Sequence, residues 1–432
     1  MTSDVRRNMS RAGLKILVYP HAMALGGSQL NAIELAAAVR DLGHQVSVIS
    51  EGGPLVQRVR ELDLPHLMLP ERRRRPSPQV VRQLRRLVAE RGVDVIHGYE
   101  WPPALEAAAA TFPTGRAAAV CTVMSMAVAP FIPRSMPLVV GTRAIQERAA
   151  VNRPGLVHLI EPPVDLVHNG PDQPVDAFRS AHGLQDRDGV DIGVVCRLVP
   201  ELKLEGVLTA VDVVGDLARE LPVRLVVVGD GAARDMVEDR AAKANAKAGR
   251  RAVVLTGELF DPRPAYAAAD IMLGMGGSAL RALAFGRPLV VQGERGFWEL
   301  LTPGSCDLFL QQGWYGVADG RGGAERLTGI LRDLIADPAR RASLGAYGRR
   351  LAEDRFSLAR AAGIQENIYH EALAEARAGR SVLAQSGEGF RSLTGVVAHK
   401  VGQRYRALRG TRAAEDFNQV ALAQAALTRN GS

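Results

Sequence analysis

Three cysteines in 432 residues, Cys121, Cys196 and Cys306, are too few and too scattered for a disulfide framework or a zinc site. No CxxC pair occurs, and a reducing compartment is expected. Aromatic residues make up only 5%, which leaves no stacking platform for single-stranded nucleic acid. Long apolar runs are missing too. The longest nearly uncharged stretch, 117–133, falls short of the ~20 residues a spanning helix needs, and it ends among prolines. Residues 1–12 are polar and lack the apolar segment of an export signal, so a flexible start and a cytoplasmic protein are expected.

What remains is ordinary globular composition, 47% hydrophobic and 23% charged, in a length that suits two or three domains. The 54 lysines and arginines exceed the 46 acids, for a formal net charge of +8. Such a balance fits a solvated basic surface, an anionic ligand such as a nucleotide diphosphate, or an anionic membrane. The run from Glu71 to Arg75 has the look of a nucleic-acid patch, but it stops at Pro76 before a helix, and no nucleic-acid partner is expected.

Along the chain, Leu14–Tyr19 reads as a buried strand. A glycine turn, the helix 29–42 and the strand 45–50 follow it, which is a βαβ unit requiring a parallel sheet. The alternation continues with an amphipathic helix over 79–91 and strands at 94–97, 117–123 and 137–141. Residues 161–191 turn polar and rich in Pro, Asp and Gly, a passage between domains. A second alternating series runs from Ile192 to Val291, including a helix over 278–285. The economical architecture is α/β with two tandem Rossmann-like domains, 13–185 and 186–350, because one continuous sheet would be too large. A crossover helix is expected over 351–378 and a basic amphipathic tail over 379–432. In that tail Phe390, Leu393, Val397, Val401 and Leu408 are interleaved with Arg391, Lys400, Arg404 and Arg406. Such a helix packs on its own domain or meets a membrane surface or partner.

Four short stretches carry candidate chemistry. Gly26-Gly27-Ser28 joins a strand to a helix, and bare backbone beside a helix N-terminus favours a phosphate. It is not the dinucleotide fingerprint, whose third glycine and later acid are missing. Arg197 and Lys203 flank a strand-to-helix loop and are placed to hold a diphosphate, whose charge grows as a glycosyl bond breaks. Gly229-Asp230-Gly231 follows another strand, at the edge where parallel sheets bind ligands. His97 ends the strand Asp94–His97 and could meet a sugar hydroxyl or a phosphate.

Taken in order, several stretches resemble one family: Gly26–Ser28, Asp94–His97, Arg197-Leu-Val-Pro-Glu201, Val228–Gly231, Pro264–Asp270, Ala282–Pro288, Phe356-Ser-Leu358 and Ile368-Tyr369. From about Gly13 to Ala376 the chain resembles the retaining GT-B glycosyltransferases of family four, the glycosyl transferases group 1 class. The resemblance implies two domains facing a cleft, with the donor on the C-terminal one and most of the acceptor on the N-terminal one. It implies a nucleotide-diphosphate sugar as co-substrate, a hydroxyl acceptor, a hexosyl group transferred with retention, and no cofactor or metal. Carried over, Gly27 approaches the diphosphate, Arg197 and Lys203 bind it, and Glu258 and Leu259 lie against the base.

The departures are equally specific. The family places two glutamates around a glycine-rich turn, the second holding the ribose. Here Arg281 stands at that place, and no glutamate occurs from Gly274 to Phe285. Met124 stands where a cleft histidine is usual, and Lys203 is displaced by one residue. The turn Gly276-Gly277-Ser278 still opens a helix, with Ser278 as the expected N-cap. Arg281 in its first turn would oppose the macrodipole unless an anion or a carboxylate such as Glu294 or Glu299 lies nearby. Two readings stay open: a working enzyme whose ribose contacts are rebuilt, or an inactive GT-B-like partner subunit. The basic tail adds a possible peripheral membrane contact.

Overall fold

The computed structural model describes residues 13–71, 73–112, 115–153, 155–186, 189–200, 202–379 and 382–408. The start at 1–12 and the tail beyond 408 lie outside these. The described chain divides into two units, one of residues 13–141, 145–161 and 359–408, the other of 142–144 and 162–358.

The first unit is built from β1 (Lys15–Tyr19), α1 (Gly27–Asp41), β2 (Gln45–Ser50), α2 (Val56–Glu61), β3 (His66–Met68), α3 (Pro78–Arg91) and β4 (Val95–Tyr99). It continues with α4 (Trp101–Thr111), β5 (Ala118–Val123), β6 (Leu138–Val140), α5 (Arg143–Ala150) and β7 (Val157–Leu159). The strands form one parallel sheet in the order β3-β2-β1-β4-β5-β6-β7. Every residue of β4 is buried, as expected where helices cover both faces of a parallel sheet. Pro78 opens α3 without losing a needed donor, and left-handed Gly92 closes it.

The second unit runs through α6 (Asp176–His182), β8 (Val190–Val195), α7 (Leu204–Leu217), β9 (Val223–Val228), α8 (Arg234–Ala248), β10 (Val253–Gly257) and α9 (Arg263–Ala268). After them come β11 (Ile271–Gly274), α10 (Gly277–Ala284), β12 (Leu289–Gln292), β13 (Trp298–Leu300), α11 (Cys306–Gln312), α12 (Gly323–Ala336) and α13 (Pro338–Arg355). The sheet order is β10-β9-β8-β11-β12-β13, parallel except for β13. Valines of α7 and leucines of α12 pack with β8 and β9 on one face, while Leu280, Leu283 and Phe285 pack with Met272 on the other. Both units are therefore Rossmann-like. The sequence reading draws the domain boundary at 185/186, whereas residues 162–185 make their contacts in the second unit. Arg179 of α6 is a buried ion-pair partner of Asp191 in β8, and Val164 pairs with Ser357.

That pairing also interrupts the expected 351–378 helix. Val164 N–H donates to the Phe356 carbonyl and Leu358 N–H to the Val164 carbonyl. The helix α14 begins only at Leu358 and runs to Ala378, and the described residues end with α15 (Val382–Leu408). Tyr369 and Leu373 of α14 and Val396 of α15 are buried in the first unit.

The loops after β8 and β9 interlock. Leu198 N–H donates to the Asp230 carbonyl, and Ala233 N–H to the Leu198 carbonyl. Gly229, at φ +139°, lies so close that a Cβ there would sit 1.8 Å from the Cys196 carbonyl oxygen. Gly231, at φ +150°, meets the Leu198 carbonyl in the same way. Gly229→Ala is expected to cost about 2–5 kcal/mol from strain and overpacking together, lowering the melting temperature by calorimetry. Gly27→Ala, whose Cβ meets nothing within 4 Å, is expected to melt like the parent.

Candidate active site

In the second unit the strand order reverses between β8 and β11, and parallel strands on either side of such a switch point leave a crevice at their carboxyl ends. The loops that meet at this edge carry most of the residues singled out from sequence. Arg197 is exposed one residue past Cys196, and half-buried Lys203 precedes the first turn of α7. Lys203 lies close enough to Cys196 to favour its thiolate, although burial still holds that thiol above its ordinary value. Asp230 accepts from Gly231 N–H at 2.7 Å and from Arg234 at 2.6 Å, which holds its carboxyl below the ordinary range. Glu258 is exposed just past β10, and Leu259 packs beneath it against the apolar cluster of Val228 and Val254.

Beside β8, the turn after β11 leads into α10. Gly276 is its N-cap, at φ +54°, and donates its N–H to the Trp314 carbonyl. Ser278 does not cap the helix as expected. Its hydroxyl turns back to the Met275 carbonyl at 3.0 Å and accepts from Met275 N–H at 3.2 Å. No side chain caps α10, and no atom lies within 4 Å of a Cβ built at Gly277. The first-turn N–H groups have no intrahelical acceptor, and the space beside Gly277 is open.

Because α10 starts at Gly277 and ends at Ala284, Arg281 falls in its last turn, not its first. The macrodipole favours a cation there, so the conflict read from the sequence disappears. Arg281 lies near the Tyr266 phenol and favours its ionised form, against the larger effect of burial. Glu294 accepts a 2.7 Å hydrogen bond from the Tyr315 hydroxyl, and burial with that bond raises the phenol's pKa. Glu299 sits half-buried on β13 opposite Val291.

Sequence reasoning missed two features of this edge. Glu205 binds Arg295 N–H at 2.9 Å and Gly296 N–H at 2.7 Å, fixing the loop after β12 to α7. Gln292, at the end of β12, is 1% exposed, and neither polar atom of its amide has a partner among the described residues. A lone glutamine at a strand end gives no signal in sequence, since its lack of partners depends on α7 packing over it at Gly206.

The first unit repeats the switch point between β1 and β4. Gly26 is the N-cap of α1 in an extended conformation, and exposed Gly27 is its first residue. Behind this turn Arg73 and Arg75 fold inward, while Arg74 is exposed. Arg73 binds Glu51 at 2.9 Å and the Tyr19 hydroxyl at 3.1 Å, and Arg75 binds Glu51 at 2.5 Å. Tyr19 in turn donates to Glu106 at 2.7 Å. Arg73 and Arg75 thereby hold the sheet edge together. Glu100, at φ +65°, accepts from Met124 N–H at 2.8 Å and Ser125 N–H at 3.0 Å, fixing the loop that carries Met124.

His97 does not serve as the ligand expected from sequence. It is 0% exposed in mid-sheet, its Nδ1 is 2.6 Å from the Tyr369 hydroxyl, and its Nε2 is 2.7 Å from Thr122 Oγ1. Burial lowers its pKa to about 3. A strand-end position does not decide which side chains become covered, and here α14 covers this one.

One cluster among the described residues has the composition of a metal site: His44, Glu366 and His370. Leu14 N–H donates to His44 Nδ1 at 3.0 Å, so the ring proton resides on Nε2, which faces Glu366 at 3.2 Å. A ring in that tautomer offers a metal no lone pair, and the cluster is a hydrogen-bonded tie between α14 and the turn before β2.

Two family descriptions match the chain, Glycosyltransferase Family 4 over residues 25–150 and Glycosyl transferases group 1 over 189–333. Together they span well over half of it, one on each unit. The chain belongs to the family-four, group 1 glycosyltransferases of GT-B fold. No curated protein matches it in sequence. Among solved structures, a glycosyltransferase from Rickettsia africae is 16% identical at TM-score 0.68, covering 84% of this chain and 99% of that one. HepE of Anabaena, in complex with UDP, is 18% identical at TM-score 0.64, covering 82% and 99%. The catalytic domain of starch synthase IV from Arabidopsis thaliana, bound to ADP and acarbose, is 14% identical at TM-score 0.61, covering 84% and 100%.

The buried histidine sets a pH dependence. Between pH 6.5 and about 3 the unfolded chain binds a proton at His97 that the folded chain refuses. Stability from this group is complete above pH 6.5 and is lost as pH falls through that window, by up to about 1.4 kcal/mol per unit. His97→Gln is expected to flatten the fall in melting temperature from pH 6.5 to 4; parallel curves for parent and variant would refute the assignment.

Proposed function

We propose that the chain transfers a hexosyl group from a nucleotide-diphosphate sugar to a hydroxyl acceptor with retention, without a metal ion. The observation that carries this reading is the edge at the β8/β11 switch point. Uncapped N–H groups at α10, open space at Gly277, and the loop of Arg197 and Lys203 all lie on it. A diphosphate is the ligand such a set suits, because helix N-termini and cations both favour it. HepE, which shares the fold, was solved with UDP and with UDP-glucose, which supports a nucleotide in the donor place.

In this mechanism the C1–O bond to the β-phosphate breaks first, and its electron pair stays on the leaving diphosphate. Arg197, Lys203 and the α10 N–H groups stabilise that growing charge more than they stabilise the bound donor. The acceptor oxygen attacks C1 from the same face, and its proton passes to the departing phosphate oxygen. No covalent sugar–enzyme species is needed. Ribose recognition has no glutamate at Arg281, so it falls to neighbours on the same edge, with half-buried Glu294 closest in kind.

A saturating nucleotide among UDP, GDP, dTDP and ADP, at 100 times its dissociation constant, is expected to stabilise the protein by about 2.7 kcal/mol in a thermal-shift assay. Arg197→Ala should cut kcat/KM by roughly 10²–10³-fold, with activity unchanged by EDTA. No shift with any of the four nucleotides, and no turnover of any nucleotide sugar, would leave the inactive-partner reading in its place.

A second reading concerns α15. No described helix is long and apolar enough to cross a membrane. One face of α15 is buried through Ser392 and Val396, while Phe390, Leu393, Val397, Val401 and Tyr405 are exposed along the opposite face. Arg391, Lys400 and Arg404 accompany this stripe, and the helix's one acid, Glu388, is turned to Arg134 and Ser135 backbone N–H groups. An apolar stripe with cations beside it suits an anionic bilayer surface, and we propose that α15 lies on one. The protein should co-sediment with phosphatidylglycerol vesicles but not phosphatidylcholine ones, and the double variant Val397→Asp, Val401→Asp should abolish this. Equal sedimentation by the variant, or dimerisation through the stripe in light scattering, would contradict the membrane role.

A further inference from the structure

A cavity of about 480 Å³ opens in the first unit, between α4, the start of β5 and the helices α14 and α15. Its origin is legible in composition. Ala108 and Ala109 of α4 face Ala117–Ala119 at β5 and Ala372 and Ala376 of α14, and methyl groups do not fill the space between these elements. The volume falls within the roughly 300–1,000 Å³ of ligand sites. Apolar Leu105, Phe112, Met136 and Val396 complete the wall, and Leu393, 63% exposed, stands where the cavity meets the outer face of α15.

A second observation points to an occupant with a polar end. Ser392 lines the cavity and is 7% exposed, yet its hydroxyl has no hydrogen-bond partner among the described residues. A buried hydroxyl left unpaired is costly, and an oxygen acceptor on a ligand would satisfy it. Of the other polar groups of the wall, Thr111 donates to the Ala107 and Ala108 carbonyls and Ser135 donates to Glu388. Glu388 holds the 134–135 backbone, and Arg85, exposed at the rim, donates to the Ala109 carbonyl while leaving further N–H groups for an anionic head.

We propose that this cavity binds the chain of a single-chain amphiphile, with an oxygen of its head accepting from Ser392 and its charge near Arg85. The site is separate from the carboxyl edge of its own sheet. It lies at the amino end of β5, whereas the loop of Met124 leaves the carboxyl end, six residues or about 16–20 Å along the strand. A bound chain therefore anchors the first unit and does not present the acceptor hydroxyl. Placing the mouth against a bilayer rests on the membrane reading of α15; binding of a free amphiphile does not.

The full chain, free of lipid, is titrated with cis-parinaric acid in the absence of vesicles. One equivalent should bind with micromolar affinity, oleate should displace it, and Ser392→Ala should weaken it about tenfold. Ala108→Phe, which fills the cavity, should abolish binding while leaving the melting temperature and nucleotide response intact. If that variant misfolds, Ala372→Met serves in its place. No binding, or the same affinity in Ser392→Ala and a folded cavity-filling variant, would overturn the proposal. Vesicle sedimentation is scored separately, so failure of the membrane reading leaves a different record from failure of the cavity.

Discussion

Parallel strands must be re-entered from their far end, so a sheet that grows first to one side and then to the other leaves adjacent loops parting at its centre. Both units obey this constraint, at β1/β4 and at β8/β11. The features that suit a donor diphosphate gather at those two places: the exposed glycine turn of α1 in one unit, the uncapped α10 and the Arg197 loop in the other. The close fit of Gly229 under the Cys196 carbonyl shows how tightly the second of these edges is drawn together. A side chain at that position would separate the β8 and β9 loops and displace Arg197 with them.

Much of this was legible in the chain. The run before Gly26, the alternation of apolar strands with helices, and the glycine loop after β9 follow from local rules and reappear as observed. Errors arose where a residue's role depends on something distant or on one turn of helix. Ser278 reads as the cap of α10, but Gly276, two residues earlier, adopts a backbone open to few other residues and caps a helix that starts at Gly277. That small change moves Arg281 from the unfavourable to the favourable end of the dipole. His97 looked available because it stands near a strand end, and nothing nearby in sequence announces that Tyr369 will close over it.

The charged residues show the same division. A cluster of arginines reads as a surface patch, and at Arg74 the side chain is exposed. Arg73, with a side chain only 3% exposed, is tied to Tyr19 and Glu51. Its guanidinium supplies several donors in a fixed plane, so it can serve a phenol and a carboxylate together where a lysine could not. Excess positive charge in this protein is thus partly scaffolding, and net charge alone overstates what is offered to a ligand.

The hydrogen bond between His97 and Tyr369 joins residues 272 positions apart. On a ribosome working at about 5–20 residues per second, roughly 15–55 seconds pass between the synthesis of the two. Throughout that interval the amino-terminal sheet has emerged with its central histidine uncovered, while the whole of the second unit is made. The half of the protein that is translated first is consequently the last to be finished, and a nascent chain cut short before α14 would expose that strand to solvent or to chaperones.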